Sequence, residues 1–296
     1  MPIAKINGVS LHYHDKGRGT AILFVHPPLL TSANFAYQQA QLSGEFRVVT
    51  FDIRGHGHSE PSKAPLTYPL IVEDMKQLLD HLKIDEAYLC GYSTGGSIAL
   101  EAFLTYPDRF PGGIVISGMS EVSTWPVRSE IRIAEWLSRA RPLFGVLRRS
   151  VAWGNADMGL TYRNLSREAG KGDLDNIRQY YTYSRNYTCS DRLPEIKQPV
   201  LLVYGEKDRR FKKYARILQS QLPNQQLRVI AGVKHQIPTK AANILNEWMR
   251  QWIREREEHR KRQSDDLQAA LSPNEMMPPA FIPELQTKEE KGGAEI

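Results

Sequence analysis

The most informative segment of the sequence is Gly91-Tyr92-Ser93-Thr94-Gly95-Gly96. It follows an apolar run at residues 87–90 and precedes a helix-like run that begins at Ser97. A G-x-S-x-G motif between a strand and a helix is typical of a tight turn that lifts the serine hydroxyl above the end of a sheet. Glycine is needed on both sides of the serine because the strand and the helix pass closely there. The pattern predicts Ser93 as a nucleophile.

Two other interpretations of this turn stay open. A glycine-rich turn also occurs around an unreactive serine, or around a phosphate group. A Walker phosphate loop would carry G-K-[ST], which is absent here.

A serine hydroxyl is a weak nucleophile, so it needs a base that is itself oriented by a carboxylate. In a chain with this turn the expected order is serine, acid, histidine. Asp208 follows the apolar run at residues 200–204, and His235 follows the run at residues 227–230. Active sites of open α/β sheets gather in such loops at the ends of strands. We therefore predict His235 as the base and Asp208 as its orienting acid.

Several residues compete for these roles. Glu206 and Glu121 are the alternative acids, and Asp208 has the alternative role of a helix N-cap. His235 has the alternative of an ordinary loop histidine. The chain order argues against His26, His56 and His58, which precede Ser93.

The rest of the chain has the pattern of an α/β domain with a mostly parallel sheet, because apolar runs alternate with amphipathic, helix-length segments. Strands are predicted at residues 4–7, 10–14, 21–25, 47–51, 87–90, 113–116, 200–204 and 227–230, and helices at 33–43, 67–83, 94–105, 209–221 and 238–256.

Two regions interrupt this alternation. Residues 119–198 are far longer than a single crossover connection needs, so they predict a helical cap inserted into the core. The core then consists of residues 1–118 and 199–256. Residues 257–296 carry runs of charge and few residues that could pack, which predicts a disordered tail. Its one apolar patch, Met276-Met277-Pro278-Pro279-Ala280-Phe281-Ile282-Pro283, leaves docking onto a protein partner open.

Composition excludes several classes of protein. The chain has 296 residues, of which 41% are hydrophobic, enough to exclude a wholly disordered chain. No apolar stretch approaches the roughly 18–20 residues of a membrane span. The first residues lack the apolar run of a secretory signal, and two cysteines cannot form a disulfide scaffold. We expect a cytoplasmic protein with no membrane span.

The charge does not indicate a nucleic-acid partner. The chain has 39 Lys+Arg and 33 Asp+Glu, a net charge of +6, but the basic residues are dispersed without interleaved aromatics. Residues 119–198 hold 13 basic and 9 acidic residues, together with several Trp and Tyr. This segment favours a small, partly apolar substrate, with a carboxylate as an option. The alternative is that the aromatic residues only pack the cap.

Taken in order, five motifs resemble those of α/β-hydrolase fold serine hydrolases, from about residue 2 to residue 254. They are the serine turn, Phe24-Val25-His26, Asp52-Ile53-Arg54-Gly55-His56-Gly57, Gly205-Glu206-Lys207-Asp208 and Lys234-His235-Gln236-Ile237-Pro238. The resemblance implies an eight-stranded, mostly parallel sheet flanked by helices, with a helical cap inserted after strand 6. It also implies that the Asp52 loop supports the nucleophile structurally.

The implied reaction is hydrolysis of an ester, lactone or thioester of a small molecule, with no cofactor and no metal. A serine at position 93 sets the chain apart from family members that attack through aspartate, such as epoxide hydrolases. Perhydrolase or haloperoxidase activity without a cofactor, and C–C bond hydrolysis, are alternatives. Another is a ligand-sensing or interaction protein on a hydrolase scaffold.

The family's oxyanion hole uses two backbone N–H groups, and the resemblance assigns one of them to Thr94. The second usually follows a His-Gly pair, but this chain reads His26-Pro27-Pro28-Leu29. Proline has no N–H to donate. Leu29 is therefore predicted as the second donor, with some side chain as the alternative. The other interpretation is that the prolines only stiffen the loop and catalysis is slow.

Overall fold

Eight strands of the described residues form one sheet, in the order β1-β2-β4-β3-β5-β6-β7-β8. The structure, a computed structural model, describes residues 2–271, without the side chains of 267 and 269–271. The β1–β2 and β2–β4 pairs are antiparallel and the others are parallel. The mostly parallel sheet predicted from the sequence is confirmed. The strands are β1 (Ile3–Ile6), β2 (Val9–Lys16), β3 (Ala21–Val25), β4 (Arg47–Phe51), β5 (Tyr88–Tyr92), β6 (Gly113–Ile116), β7 (Val200–Gly205) and β8 (Gln225–Ile230).

The apolar runs correspond to strands that are covered on both faces. Every residue of β3, β5, β6 and β7 is buried, as expected where helices flank a parallel sheet. Because parallel strands end at the same edge, the loops after β3, β4, β5, β7 and β8 gather there. The predicted site residues lie in these loops.

Ten α-helices are described. They are α1 (Ala36–Leu42), α2 (Tyr68–His81), α3 (Thr94–Thr105), α4 (Trp125–Leu137), α5 (Arg141–Asn155), α6 (Gly159–Ala169), α7 (Leu174–Asn186), α8 (Lys212–Gln221), α9 (Ile237–Lys240) and α10 (Ala242–Leu271). A 3₁₀ turn, Ser32–Phe35, precedes α1. None of the described helices is both long and apolar enough to cross a membrane.

Helix α10 extends further than the sequence predicted. The chain divides into a compact unit, Met1–Trp252, and a second unit that begins at Ile253. Within the second unit the helix continues to Leu271, whereas the sequence predicted a disordered tail from residue 257. This stretch is rich in Glu, Arg, Lys and Gln, which are strong helix formers. Ion pairs one turn apart, Arg260–Glu257 and Arg262–Glu258, add to its helicity. Residues 272–296, with the Met276–Pro283 patch, lie outside the described residues.

Helices α4–α7 lie between β6 and β7, within residues 119–198, which we call the insertion. Prolines in the first turns of α4 and α5 suit helix starts, where an N–H would have no partner. Helix α7 is tied to the core by a hydrogen bond from the Tyr68 hydroxyl to Ser184 Oγ, at 2.9 Å. Just beyond α7, the Tyr187 hydroxyl donates to Glu101 Oε2 of α3 at 2.7 Å.

A buried ion pair joins the loop after β4 to helix α2. Arg54 Nε donates to Asp74 Oδ2 at 2.6 Å, and Arg54 Nη2 contacts Asp74 Oδ1. The two side chains are only 3% and 1% exposed. Burial raises the pKa of Asp74, and Arg54 partly opposes that rise. Removing one partner would therefore leave a charge without compensation inside the protein.

Candidate active site

Ser93 occupies the sharp turn between β5 and α3. Its backbone has φ 55° and ψ −121°, a conformation that favours glycine, and such a residue costs about 1–3 kcal/mol. The Ser93 N–H donates to Ile116 O at 2.8 Å, and the Ser93 carbonyl accepts from Gly96 N. These bonds hold the strained residue in place. The side chain is half-buried at the edge of the sheet where the strands end.

Glycines on both sides of Ser93 permit this turn. A Cβ at Gly95 would collide with the Val25 carbonyl at the end of β3. A Cβ at Gly91 would collide with the Gly95 carbonyl. The start of α3 therefore lies directly against the loop that begins at His26, as the close approach predicted from the motif requires.

The structure brings Ser93, His235 and Asp208 together. His235 Nδ1 lies 2.7 Å from Asp208 Oδ2, and His235 Nε2 lies 3.1 Å from Ser93 Oγ. A carboxylate only accepts, so the geometry assigns the proton to Nδ1, which donates to Asp208. The lone pair of Nε2 then faces Ser93, whose hydroxyl donates to it. Such a set can take a proton from Ser93 and hold the resulting imidazolium.

The surroundings of His235 restrict its ring. The ring centroid of Phe211 lies 4.1 Å from that of His235, and the Tyr92 centroid lies 5.3 Å away. The side chain of Asp208 is only 3% exposed and that of His235 is 14% exposed. The acid is therefore shielded from water, while the imidazole stays partly exposed to solvent.

The alternative acids bind elsewhere. Glu206 Oε2 accepts from the Gly232 N–H at 2.7 Å and so fixes the loop that leads to His235. Glu121 Oε2 accepts from Ser190 Oγ at 2.8 Å within the insertion. Neither carboxylate is hydrogen-bonded to His235.

His26, His56 and His58 also lie apart from this set. His26 Nδ1 donates to Pro27 O at 2.9 Å, and its Nε2 accepts from the Ile53 N–H at 2.9 Å. Both ring nitrogens of His26 are thus used, and burial lowers its pKa. His56 is fully buried. His58 Nε2 lies 2.9 Å from Glu168 Oε2 of α6.

Asp52, the first residue of the loop after β4, organises the segments around it. Its carboxylate accepts from Ser32 N at 2.8 Å, His58 N at 3.0 Å and His12 Nδ1 at 2.8 Å. Burial favours a higher pKa for Asp52, but these hydrogen bonds and the nearby His26 outweigh it and hold the pKa well below its usual range. The contacts are those of a structural carboxylate, in line with the role that the resemblance implies.

Of the predicted oxyanion donors, Leu29 has an unusual backbone. Its φ is 71°, in the left-handed region, and its side chain is buried. Within the described part of the chain, neither the Leu29 N–H nor the Thr94 N–H donates to a backbone carbonyl. Both N–H groups therefore lack a backbone acceptor in the described residues. Nothing in the residue types predicted the backbone conformation of Leu29.

The insertion contacts the loops of the candidate site. The Tyr180 hydroxyl of α7 donates to His26 O at 3.0 Å, next to the Pro27-Pro28 segment. The Tyr92 hydroxyl, adjacent to Ser93, donates to Asn155 Oδ1 of α5 at 3.1 Å. Tyr180 packs in the interior, whereas Trp125, Trp136 and Trp153 are exposed to solvent. The tryptophans therefore do not pack the interior of the insertion. Packing was one of the two interpretations of its aromatic residues.

A separate cavity was not anticipated from the sequence. It has a volume of about 190 Å³ and lies between β2, the 3₁₀ turn and α6. Ser93, His235 and Asp208 do not line it. His12, paired with Asp52 through Nδ1, has a buried Nε2 with no hydrogen-bond partner among the described residues. No group of three or more His, Cys, Asp and Glu in the described residues is arranged to hold a metal ion. The polar lining includes His12, His14, Ser32, Asp52, His58 and Arg167.

Comparison with known proteins agrees with this architecture. A human protein named serine hydrolase BPHL is 28% identical over 251 residues, which cover 81% of this chain and 82% of that protein. A pimeloyl-[acyl-carrier protein] methyl ester esterase of Stenotrophomonas maltophilia is 27% identical over 210 residues, covering 67% and 79%. The crystal structure of the enol-lactonase from Burkholderia xenovorans LB400 superposes with a TM-score of 0.76 at 23% identity, covering 85% and 99%.

The family model described as alpha/beta hydrolase fold matches residues 20–238. This range includes Ser93, Asp208 and His235 and every strand from β3 to β8. The resemblance inferred from the motifs is confirmed, and the chain belongs to the α/β-hydrolase fold family.

Proposed function

We propose that the protein is a serine hydrolase that cleaves an ester, lactone or thioester of a small molecule through Ser93, His235 and Asp208. The observation that carries the proposal is the continuous hydrogen-bonded path from Ser93 Oγ through the His235 ring to Asp208. Relatives named as a serine hydrolase and as a methyl ester esterase support the same type of bond.

In the first half of the proposed reaction, Ser93 Oγ attacks the carbonyl carbon while His235 Nε2 takes the hydroxyl proton. Asp208 keeps the Nδ1 proton in place and stabilises the imidazolium that forms. The tetrahedral intermediate collapses as Nε2 returns its proton to the leaving alcohol or thiol. The products of this half are the free leaving group and an ester on Ser93.

In the second half a water molecule attacks the acyl group on Ser93. His235 Nε2 takes a proton from that water and later returns it to Ser93 Oγ, while the acid product leaves. The same residues thus act twice in opposite directions, so no other proton donor is needed.

The negative oxygen of both intermediates would bind the N–H groups of Thr94 and Leu29. Thr94 begins helix α3, whose dipole also favours negative charge. Leu29 is the first residue after His26 with an N–H to donate, because Pro27 and Pro28 have none. The backbone of Leu29 supports this assignment. Its left-handed conformation makes the chain turn at Leu29, which carries the first available N–H of the segment.

We further propose that the insertion acts as a cap that shapes the acyl or alcohol site. The contacts of Tyr180 with the His26 carbonyl and of Asn155 with Tyr92 support this role, because both join the insertion to loops beside Ser93. A cap at this place would exclude water and select substrates by size.

The alternative activities use the same three residues. Perhydrolysis and C–C hydrolysis differ in the attacking group or the bond cleaved, and no contact in the structure favours either over ester hydrolysis. A purely ligand-sensing protein would not need an oriented base, so the His235–Asp208 pair favours turnover.

The test measures hydrolysis of p-nitrophenyl esters of increasing acyl length by the wild type, Ser93→Ala and His235→Ala. We expect both variants to lose several orders of magnitude in kcat with the fold intact. His81→Ala is the matched control, because His81 is exposed on α2, away from Ser93, and should retain full activity.

Labelling by a fluorophosphonate gives a second readout that does not depend on the choice of substrate. The wild type should be labelled at Ser93 and Ser93→Ala should not. If turnover were unchanged in Ser93→Ala and the wild type took up no label, the proposed function would be wrong.

A further inference from the structure

Exposed large apolar side chains are concentrated on the insertion. The described residues include ten of them, and seven lie between residues 125 and 160. Scattered exposed apolar residues are normal on a protein surface, whereas their concentration on neighbouring helices points to a contact surface. The seven are Trp125, Ile133, Trp136, Val146, Met158, Trp153 and Leu160, with Trp125 and Trp153 the most exposed, at 79% and 74%.

On helix α4 these residues form one side. At about 100° per residue, Trp125, Ile133 and Trp136 fall within about 80° of one another. The buried residues of α4 are Val127, Ile131 and Ala134, on the opposite side. The helix therefore has two apolar sides, of which one packs on the protein and the other faces solvent.

Helix α5 has the same arrangement. Val146 and Trp153 are seven residues apart, about two turns, so they share a side. Phe144 and Leu147 are buried on another side. Helix α5 packs against both α4 and α6, and the Trp153 ring lies 6.0 Å from that of Tyr162. We call Trp125, Ile133, Trp136, Val146, Trp153 and Leu160 the outer face.

The charge around the outer face is positive. Residues 125–169 contain eight arginines, no lysine and four acidic residues. Three of the acids are ion-paired, Glu130 with Arg210, Glu135 with Arg185 and Glu168 with Lys171. The fourth acid, Asp157, accepts a hydrogen bond from the Tyr37 hydroxyl at 2.7 Å.

Most of the arginines have no such partner. Five exposed arginines form neither an ion pair nor a side-chain hydrogen bond within residues 2–271, and they lie on or between the same helices. They are Arg132, Arg139, Arg141, Arg149 and Arg163. Exposed tryptophan among unpaired arginine is the composition of a surface that meets the headgroups of an anionic bilayer.

We propose that the outer face binds peripherally to membranes that contain anionic lipid. Tryptophan lies at the boundary of headgroups and acyl chains because its ring is apolar and its N–H is polar. The guanidinium groups pair with phosphate oxygens, which matches the positive charge of the surface. The occupant is the lipid surface, and the helices lie on it without crossing it.

The experiment measures cosedimentation of the full chain with vesicles of phosphatidylcholine alone, or with about 30% phosphatidylglycerol. We expect binding to the anionic vesicles, little binding to the neutral ones, and release as the ionic strength rises. Arg132→Gln/Arg149→Gln/Arg163→Gln should weaken binding by about fivefold per arginine, about 100-fold in all. Trp125→Ser/Trp153→Ser should also lose binding.

The matched control is Ile3→Thr/Val229→Thr, which removes two exposed apolar side chains outside the insertion and should bind as the wild type does. Circular dichroism checks that every variant is folded. Absence of binding to anionic vesicles would overturn the proposal, and so would equal, salt-independent binding to both kinds of vesicle. A dimer in solution that dissociates in the tryptophan variant, with no vesicle binding, would also overturn it, since the occupant would then be a second copy of the chain.

Discussion

Acid should destabilise the protein through His56, a buried imidazole beside the candidate site. The His56 ring is fully buried, its Nδ1 lies 3.2 Å from the Arg54 carbonyl oxygen, and the His26 ring centroid lies 5.3 Å away. Burial, and then the neighbouring His26, lower the pKa of His56 from 6.5 to about 3. In the unfolded chain the imidazole has its ordinary pKa, so unfolding takes up a proton below pH 6.5.

The sign and size of the effect follow from this shift. The folded state binds fewer protons than the unfolded state between pH 6.5 and about 3. His56 therefore causes no loss of stability above pH 6.5. Below pH 6.5 the free energy of unfolding falls as the pH is lowered through that window. Each pH unit costs about 1.4 kcal/mol, so the loss from His56 at about pH 5 is about 2 kcal/mol.

Urea denaturation of the wild type and of His56→Gln measures this contribution. Glutamine keeps a polar group but cannot gain a proton. Between about pH 7.5 and about pH 5 the wild type should lose about 2 kcal/mol more free energy of unfolding than the variant does. The same loss in both proteins would refute the reasoning, because the titration of His56 would then contribute nothing.

Three further predictions concern single contacts. Asp208→Asn should lower kcat in ester hydrolysis by about 10⁴-fold with unchanged circular dichroism, because the amide no longer fixes the proton on His235 Nδ1. A loss of kcat below tenfold would contradict this role. Arg54→Leu should cost about 3–5 kcal/mol and lower Tm in calorimetry by about 10 °C. The double variant Arg54→Leu/Asp74→Leu should recover most of that loss, and no recovery would argue against an uncompensated charge. Gly95→Ala should abolish ester hydrolysis or folding, because the added Cβ would collide with a carbonyl of β3. Gly154→Ala, whose Cβ would lie in open space on α5, should raise Tm slightly. If both substitutions were equally tolerated, the turn around Ser93 would be able to relax.

The core of the fold and the residues around Ser93 could be predicted because their signals are local. A strand, a glycine-bounded serine and a helix are adjacent in the chain, so the turn is specified by its own residues. Asp208 and His235 are distant in the chain, but each follows a strand, and parallel strands end at one edge. The structure brings all three together, while their catalytic roles stay a prediction.

Other features depend on tertiary contacts that composition does not encode. The backbone of Leu29 is set by its neighbours, and its residue type gives no sign of φ 71°. The pairing of His12 with Asp52 joins β2 to the loop after β4, and it requires the register of the antiparallel pair. Neither could be inferred without the sheet.

Two further differences between the sequence-based prediction and the structure concern the extent of α10 and the tryptophans of the insertion. Low hydrophobicity suggested disorder beyond residue 256, but the helix propensity of Glu, Arg and Lys carries α10 to Leu271. The number of tryptophans in the insertion is compatible with packing and with substrate contact, and number alone does not separate the two. Their helical phase relative to the buried residues separates the solvent side from the packed side.

The backbone of Ser93 has a consequence for how the sequence can change. At φ 55° and ψ −121° a glycine would relieve strain of about 1–3 kcal/mol, offset in part by its greater freedom in the unfolded chain. The proposed nucleophile is thus kept at the expense of stability, a trade-off between activity and robustness. A lineage that lost the need for turnover would drift toward glycine at position 93, and its protein would fold at least as well without the reaction.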